Sequence, residues 1–94
     1  MSFSYKVFKI IKTIPKGSVM TYREVAKLAG NEEAYRAVGR IIKKNPDLKN
    51  IPCHRVVRSD LKLSNTSQSE KNKQKELLKK EGIKFKNNKI ILET

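Results

Sequence analysis

Helix-capping signals between residues 21 and 31 constrain the fold of this chain more than any other feature. Thr21 and Glu24 have the spacing of a capping box, in which each side chain accepts a hydrogen bond from the backbone N–H of the other residue. Gly30 can adopt the left-handed backbone that closes a helix, and Asn31 can cap the next helix. Two helices joined by a Gly-Asn turn predict a helix-turn-helix.

The second helix of this pair is predicted to run from Asn31 to Asn45, because Pro46 cannot continue it. At about 100° per residue, its apolar and basic side chains separate onto two sides. The apolar side holds Ala34, Ala37, Val38 and Ile41. The basic side holds Arg36, Arg40 and Lys43, with Gly39 beside them and Lys44 at the edge. Such a stripe either solvates an exposed face or, with a bare glycine inside it, lets the helix approach a phosphate backbone closely.

Helical spacing also predicts elements on both sides of this pair. Over residues 3–14 the apolar residues recur every three or four positions, which is typical of an amphipathic helix, and Pro15 ends it. A lysine-rich helix is predicted over 70–80, where Leu77 and Leu78 are the residues expected to be buried. Two polar segments are predicted to be loops: 47–50 and 61–69.

The last residues of the chain predict a hairpin. Apolar residues alternate on both sides of an asparagine pair that tolerates positive φ: Ile83, Phe85, Asn87, Asn88, Ile90 and Leu92. Ninety-four residues are enough for one compact domain and too few for two. We therefore expect a single, mostly α domain over residues 1–94, winged-helix-like, with a helix-turn-helix and a short C-terminal β-hairpin.

The charge balance points to a polyanionic partner. Lys and Arg number 22 against 9 Asp and Glu, which gives a net charge of +13. The sequence has no apolar stretch long enough to span a membrane, and its opening residues lack the pattern of a signal peptide. We expect a protein that binds nucleic acid rather than membrane, in the cytoplasm, or in the nucleus of a eukaryote.

Cysteine, histidine and glycine usage excludes several chemistries. One cysteine cannot form an internal disulfide, and one cysteine with one histidine falls short of a structural zinc site. The four glycines stand too far apart for a phosphate-binding loop or a dinucleotide fingerprint. We therefore expect no metal and no cofactor.

Cys53 and His54 are the remaining candidates for chemistry. A thiol with its ordinary pKa of about 8.5 is only a few per cent thiolate at neutral pH, so a catalytic cysteine needs a base or nearby cations. His54 could be that base, and Arg55 and Arg58 are the nearest cations in the sequence. The alternative is a small buried cysteine beside an ordinary turn histidine. Pro52 predicts a rigid turn at this point.

The segment Ile51–Val57, with sequence IPCHRVV, resembles the active-site signature of the O6-alkylguanine-DNA alkyltransferases. Further motifs of that family occur in the same order and at close to the same spacing: Thr21-Tyr22, Val25-Ala26, Arg36-Ala37-Val38-Gly39, Asn45-Pro46 and Glu81-Gly82. The resemblance implies a suicide DNA repair transferase that moves an alkyl (methyl) group from O6 of guanine to its own Cys53 and reacts once.

The resemblance also implies roles for individual residues in the reaction. Cys53 would be the alkyl acceptor, and His54 and Glu81 would form, with a water, a relay that helps to deprotonate the thiol. Asn45 matches the asparagine that orders the turn around the cysteine. Tyr22 matches the tyrosine that crowds the 3′ phosphate of the target nucleotide and can donate to the base as its charge changes.

The implied partner is double-stranded DNA that contains O6-alkylguanine, bound through the minor groove by a monomer. Arg36 matches the arginine finger that replaces the flipped base, and extruding a base costs a few kcal/mol that an inserted cation partly offsets. The residues expected to contact DNA are Tyr22, Arg36, Gly39, Arg40, Lys43, Lys44 and Arg55.

The sequence departs from the family in the loop 61–69, which lacks the glycines and the aromatic residue that usually form one wall of the alkylguanine pocket. Two other functions therefore stay open. Alkyltransferase-like proteins bind the lesion without transfer, but in them the cysteine is replaced, commonly by tryptophan. A small transcription regulator would use the basic helix for sequence readout and would not need Cys53. Cysteine protease chemistry ranks below both.

Overall fold

The computed structural model describes residues 2–45, 47, 50–63, 68–86 and 89–91. Its helices are α1 (Phe3–Lys12), α2 (Tyr22–Leu28), α3 (Tyr35–Lys43) and α4 (Gln68–Lys80). Its strands are β1 (Met20–Thr21), β2 (Val56–Val57), β3 (Lys84–Lys86) and β4 (Lys89–Ile91). Two 3₁₀ turns complete the order, Glu32–Ala34 before α3 and Cys53–Arg55 before β2. Within these ranges no helix is long and apolar enough to cross a membrane.

The predicted helix-turn-helix is confirmed in its local chemistry. The Thr21 hydroxyl accepts from the Glu24 N–H at 3.1 Å, and the Glu24 carboxylate accepts from the Thr21 N–H at 3.2 Å. Gly30 has a φ of 104°, and the Asn31 N–H donates to the Ala26 carbonyl at 3.0 Å, which closes α2 as a Schellman motif. Asn31 then caps the following 3₁₀ turn, so α3 proper begins four residues later than Asn31.

A parallel strand pair, which the sequence did not predict, joins the helix-turn-helix to the cysteine segment. Met20 pairs with Val56, and Thr21 pairs with Val57. Each strand has only two residues, so neither leaves an alternating pattern in the sequence. The pairing places the start of α2 next to the cysteine turn, by which we mean residues 51–55.

Two apolar clusters hold the elements together. The N-terminal core joins α1, α2, α3 and the cysteine turn, and it is built on Val7, Ile11, Ile14, Val25, Ala26, Ala29, Val38, Ile51, Cys53 and Val56. The C-terminal core joins β2, α4 and the hairpin through Val57, Leu63, Leu78 and Ile90. Helix α1 ends two residues before the predicted Ile14, because the Thr13 hydroxyl and N–H both turn back to the Ile10 carbonyl.

The C-terminal half follows most of the prediction, but α4 begins at Gln68, two residues earlier than predicted and inside the predicted loop 61–69. Phe85 pairs with Ile90 across the predicted hairpin. Residues 87, 88 and 92 of the hairpin lie outside the described part of the chain. Pro46, which was predicted to end the second helix of the helix-turn-helix, also lies outside it. In α4, Leu78 is buried as predicted, but Leu77 is half-buried and the second buried residue is Gln74. This polar side chain is buried because it hydrogen-bonds to the cysteine turn.

Candidate active site and nucleic-acid interface

Pro52 forms a turn, as the sequence predicted. Pro52 has φ −79° and ψ 68°, and the Cys53 N–H donates to the Ile51 carbonyl at 2.8 Å. These values define an inverse γ-turn. The Arg55 N–H donates to the Pro52 carbonyl at 3.0 Å, so the chain passes directly into the 3₁₀ turn. The backbone at Cys53 is therefore fixed from both sides.

Asn45 fastens this turn to the end of α3. Its amide nitrogen donates to the Ile51 carbonyl at 3.0 Å and to the Cys53 Sγ at 2.8 Å. Its amide oxygen accepts from the Asp47 N–H at 2.8 Å. One side chain thus uses both of its polar atoms to order the loop and to place a donor on the sulfur.

The Cys53 side chain is mostly enclosed, since the residue is 8% exposed. Burial raises the pKa of the Cys53 thiol to about 11, and the hydrogen bond from Asn45 acts in the opposite direction with less effect. The sulfur is therefore protonated at neutral pH. A nucleophilic role requires a base that takes the proton as the reaction proceeds.

Glu81 organises the side chains that follow the cysteine. Arg55 donates two parallel hydrogen bonds to its carboxylate, Nε to Oε1 at 2.9 Å and Nη2 to Oε2 at 2.7 Å. His54 Nε2 lies 3.0 Å from the same Oε2. Arg55 Nη1 also donates to the Ile14 carbonyl at 2.8 Å. Residues far apart in sequence thus meet in one ion-paired cluster.

The end of α4 sets the position of Glu81. Glu81 follows the last helical residue, and Gly82 takes a φ of 93°. The Ile83 N–H then donates to the Leu78 carbonyl at 3.0 Å, which completes a second Schellman motif. A side chain at position 82 would be strained, so glycine is needed to hold the carboxylate at this point.

The charge state of Glu81 decides how His54 is used. The hydrogen bonds from Arg55 lower the pKa of the Glu81 carboxyl to about 2, with burial opposing and His54 adding a smaller effect in the same direction as Arg55. An ionised carboxylate only accepts hydrogen bonds, so His54 donates through Nε2. In the neutral ring Nδ1 is then an acceptor, available to take a proton.

Gln74 fixes the same turn from α4, and the sequence analysis missed it. Its Nε2 donates to the His54 carbonyl at 3.0 Å and to the Val56 carbonyl at 3.2 Å, and the residue is 8% exposed. The signal was its spacing, since 74 lies three and four residues before the two leucines and therefore on their side of the helix. Its burial was not predicted because lysines precede and follow it in the sequence.

An open groove of about 1360 Å³ runs past the sulfur. Residues of α2 and α3 line it: Tyr22, Arg23, Tyr35, Arg36, Gly39, Arg40, Ile42 and Lys43. The segment after β2 and helix α4 add Arg58, Ser59, Asp60, Glu70, Lys73, Gln74 and Leu77, and Cys53 and His54 complete the lining. Six Arg and Lys side chains against two carboxylates make the groove basic. It can accept an anionic ligand that approaches the thiol.

Five of the seven residues predicted to bind DNA line this groove: Tyr22, Arg36, Gly39, Arg40 and Lys43. Lys44 is exposed at the end of α3, outside the lining. The expectation for Arg55 needs correction, because its guanidinium turns inward to Glu81 and Ile14 and is not among the groove residues. Arg55 supports the carboxylate rather than facing the groove.

Gly39 has no intramolecular reason to be glycine. It lies within α3, its φ is not in the left-handed region, and a Cβ built there would meet none of the described residues within 4 Å. A glycine inside a helix costs about 0.5–1 kcal/mol relative to alanine. The free chain therefore gains nothing from it, whereas a surface that docks closely on α3 would.

The loop predicted to differ from the family begins in a strained conformation. Leu61 has a φ of 65°, in the left-handed region that favours glycine. Its backbone is held there because its N–H donates to Arg58 at 2.9 Å and its carbonyl accepts from Ile90 at 2.9 Å. Residues 64–67 of this loop lie outside the described part.

Comparison with known proteins gives a consistent result. The family described as "6-O-methylguanine DNA methyltransferase, DNA binding domain" matches residues 2–83. The methylated-DNA–protein-cysteine methyltransferase of Rattus norvegicus is 42% identical over 83 residues, which are 87% of this chain and 40% of the rat protein. The DNA base-flipping protein of Escherichia coli K12 is 40% identical over 82 residues, 87% of this chain and 63% of that protein.

A solved structure agrees with these relatives. S. pombe Atl1, in complex with damaged DNA containing O6-carboxymethylguanine, has a TM-score of 0.81 and 32% identity, over 87% of this chain and 77% of that one. The chain thus spans about 40% to 63% of the length of the two curated relatives. From the matched family and these relatives together, the chain belongs to the family of 6-O-methylguanine DNA methyltransferase DNA-binding domains.

Proposed function

We propose that this chain repairs DNA by moving an alkyl group from O6 of guanine to the sulfur of Cys53. One observation carries the proposal: the cysteine sulfur borders a basic groove and receives a hydrogen bond from Asn45, next to the histidine that Glu81 orients. A lesion-binding protein without transfer has no use for a nucleophile at this position. The similarity to curated methyltransferases supports the same reaction.

The proposed reaction is a single displacement. The Cys53 sulfur attacks the alkyl carbon, the new S–C bond forms as the C–O6 bond breaks, and the electron pair of that bond returns to guanine. His54 takes the thiol proton, through a water, on the nitrogen that does not face Glu81. Guanine regains a proton, for which the Tyr22 phenol at the groove is the proposed donor. The thioether is permanent, so each chain reacts once.

The proposed substrate is duplex DNA bound through its minor groove. The alkylated atom is inaccessible inside the stack, so the nucleotide must be flipped into the groove beside Cys53. Arg36 is exposed on α3 and lines that groove, which suits it to fill the gap in the duplex. Arg40 and Lys43 are placed to meet phosphates, and Gly39 permits the close approach of the backbone. Repair then occurs wherever the cell keeps its DNA.

The second candidate is a lesion-binding protein that does not transfer the alkyl group. The structural similarity to S. pombe Atl1 and the strained loop at Leu61, in a segment without the family's glycines, favour it. It shares the groove, the arginine and the partner with the first candidate. The two differ only in what happens at the sulfur.

Intact-mass measurement separates the two candidates. The chain is incubated with an excess of duplex that contains O6-methylguanine, and binding is followed in parallel by fluorescence anisotropy. We expect the mass of one added methyl group, located on the peptide that contains Cys53, and no gain in Cys53→Ser. Tight, lesion-dependent binding with an unchanged mass would establish the non-transferring alternative.

A further inference from the structure

Tyr35 lies close to two arginines that line the groove together with it. It is the first residue of α3, half-buried against the N-terminal core. The guanidinium carbon of Arg23 lies 4.8 Å from the centre of its ring, and that of Arg36 lies 5.9 Å from it. All three residues line the groove. One aromatic ring thus contacts a cation from α2 and a cation from α3.

Neither arginine has an acidic partner among the residues that the structure describes. Two guanidinium groups near one ring repel each other, and each long side chain is free to adopt many rotamers when nothing holds it. The negative face of the ring attracts both cations, so it offsets the repulsion and reduces their freedom. The ring therefore orders both groups before any ligand arrives.

This ordering matters most for Arg36 if it enters the duplex. A side chain that is already held against a ring at the groove loses less entropy when it takes the place of a flipped base. The advantage applies only where a stacked base must be replaced. A single-stranded substrate has less stacking to disrupt, so it gains little from an ordered arginine.

We propose that Tyr35 is a positioning residue that aims Arg36 into the base stack and holds Arg23 at a neighbouring phosphate of the same duplex. The inference rests on the proposed function, which assigns the insertion to Arg36. If Tyr35 served only to fill space in the core, any apolar side chain of similar size would do, and its aromatic face would have no role. Tyr35→Phe keeps the face, and Tyr35→Leu keeps only the apolar bulk.

The test measures single-turnover methyl transfer to the full chain from O6-methylguanine, in duplex and in single-stranded oligonucleotides. We expect Tyr35→Leu to lower the duplex rate about fivefold and to leave the single-strand rate within about twofold. Tyr35→Phe should stay within about twofold of the parent on both substrates. Thermal unfolding verifies that each variant is folded at the assay temperature. Equal loss on both substrates, or a leucine variant that matches the phenylalanine variant, would overturn the proposal.

The salt dependence of duplex binding tests the part assigned to Arg23. Arg23→Ala should reduce the slope of log affinity against log salt by about 1, because one phosphate contact is lost. Tyr35→Leu should weaken binding and reduce the slope by less than Arg23→Ala does, because it loosens the hold on Arg23 but removes no charge. An unchanged slope in Arg23→Ala would remove the phosphate role from the proposal.

The same variants distinguish failure of this inference from failure of the proposed function. If the parent chain transfers no methyl group from either substrate, the transfer reaction is wrong. The role of Tyr35 is then decided by equilibrium binding, where Tyr35→Leu should weaken affinity for the lesion duplex about fivefold and leave single-strand affinity within about twofold. Equal affinities of the parent and Tyr35→Leu for the duplex would reject it.

Discussion

The cysteine turn and the basic face of α3, meaning Arg36, Gly39, Arg40 and Lys43, border the same groove and are built in opposite ways. In the turn, His54 and Arg55 have hydrogen-bond partners within the chain, and Asn45 donates to the Cys53 sulfur from the end of α3. On the basic face, no carboxylate in the described part of the chain pairs with any of the three cations. The polar side chains around the turn are thus satisfied within the chain, whereas the cations of the basic face have no anionic partner among the described residues.

In the proposed function, this difference separates the part of the molecule that reacts from the part that binds DNA. Fixed internal hydrogen bonds hold the sulfur, the histidine and the carboxylate in one arrangement before substrate arrives. Cations without a carboxylate partner in the described residues, and a glycine with no side chain, leave α3 ready for an external anion, at some cost to the stability of the free helix. Changes in the turn should therefore alter the chemical step, and changes on the face should alter association with DNA.

The largest effect is expected from Asn45→Ala, which removes the donor on the sulfur and the support of the turn. A hydrogen bond to a charged group contributes about 1.5–3 kcal/mol, so single-turnover transfer should slow by about 10- to 100-fold. Lesion-duplex affinity should stay within about twofold, since the basic face is intact. Asn50→Ala is the matched control, because Asn50 is exposed in the same loop and its hydrogen bonds within the described residues go to Asp47. A rate loss as large in the control would contradict the role of Asn45.

The second effect concerns the stability of the turn at low pH. The pKa of Glu81 is lowered from 4.5 to about 2 in the folded chain. The unfolded chain therefore takes up a proton first as pH falls, so the stabilisation is present above about pH 4.5 and is lost as pH approaches 2. We expect the free energy of unfolding to fall by about 2 kcal/mol across this window, measured by denaturant titration.

Two variants sharpen the pH measurement. Glu81→Gln should be less stable at pH 7 and should show a smaller fall between pH 4.5 and 2. Glu76→Gln serves as control, because Glu76 makes an exposed pair with Lys80 at 3.6 Å and should behave like the parent. If Glu81→Gln keeps the full pH dependence of the parent, the ion-paired cluster is not its source.

On the basic face, Arg36→Ala should impair repair in duplex and spare repair in single strands. In the proposed function the arginine offsets part of the few kcal/mol that base extrusion costs, so we expect about a tenfold loss of the duplex rate and less than about twofold in single strands. Lys27→Ala is a suitable control, since Lys27 is an exposed cation on α2 outside the groove lining. Equal losses on both substrates would argue against insertion.

The smallest effect tests whether the basic face lowers the stability of the free chain and raises its affinity for duplex DNA. Gly39→Ala should stabilise the free chain by about 0.5–1 kcal/mol, because alanine is the better helix former and its Cβ meets none of the described residues. The same change should weaken duplex affinity, because the methyl group holds the phosphate backbone away. Ser4→Ala raises helix propensity in α1, outside the groove, and should leave affinity unchanged. If Gly39→Ala binds duplex as tightly as the parent chain or more tightly, glycine at this position is not needed for the close approach of DNA.

The sequence predicted those features that local chemistry determines. The capping box at Thr21, the left-handed Gly30 and the turn at Pro52 each depend on a few neighbouring residues, so their residue types are sufficient evidence. The basic face was predicted for the same reason, since helical spacing alone separates Arg36, Arg40 and Lys43 from Val38.

The features that the sequence did not predict all depend on contacts between distant segments. The β1–β2 pair joins residues 36 positions apart through strands too short to show alternation. Gln74 reaches His54 and Val56 across 20 and 18 positions, and Arg55 turns inward because Glu81 and Ile14 come to it only in the folded chain. A polar residue in a charged run looks solvated until its partner is known.

The account depends most on the fate of the alkyl group, and the most direct measurement follows an isotopically labelled methyl group from O6 of guanine in an excess of duplex. We predict that label accumulates on the Cys53 sulfur, reaches one methyl group per chain and then stops, with no label on Cys53→Ser. Label that remains on the DNA while the chain stays bound to the lesion, or that appears on another residue, would contradict the account.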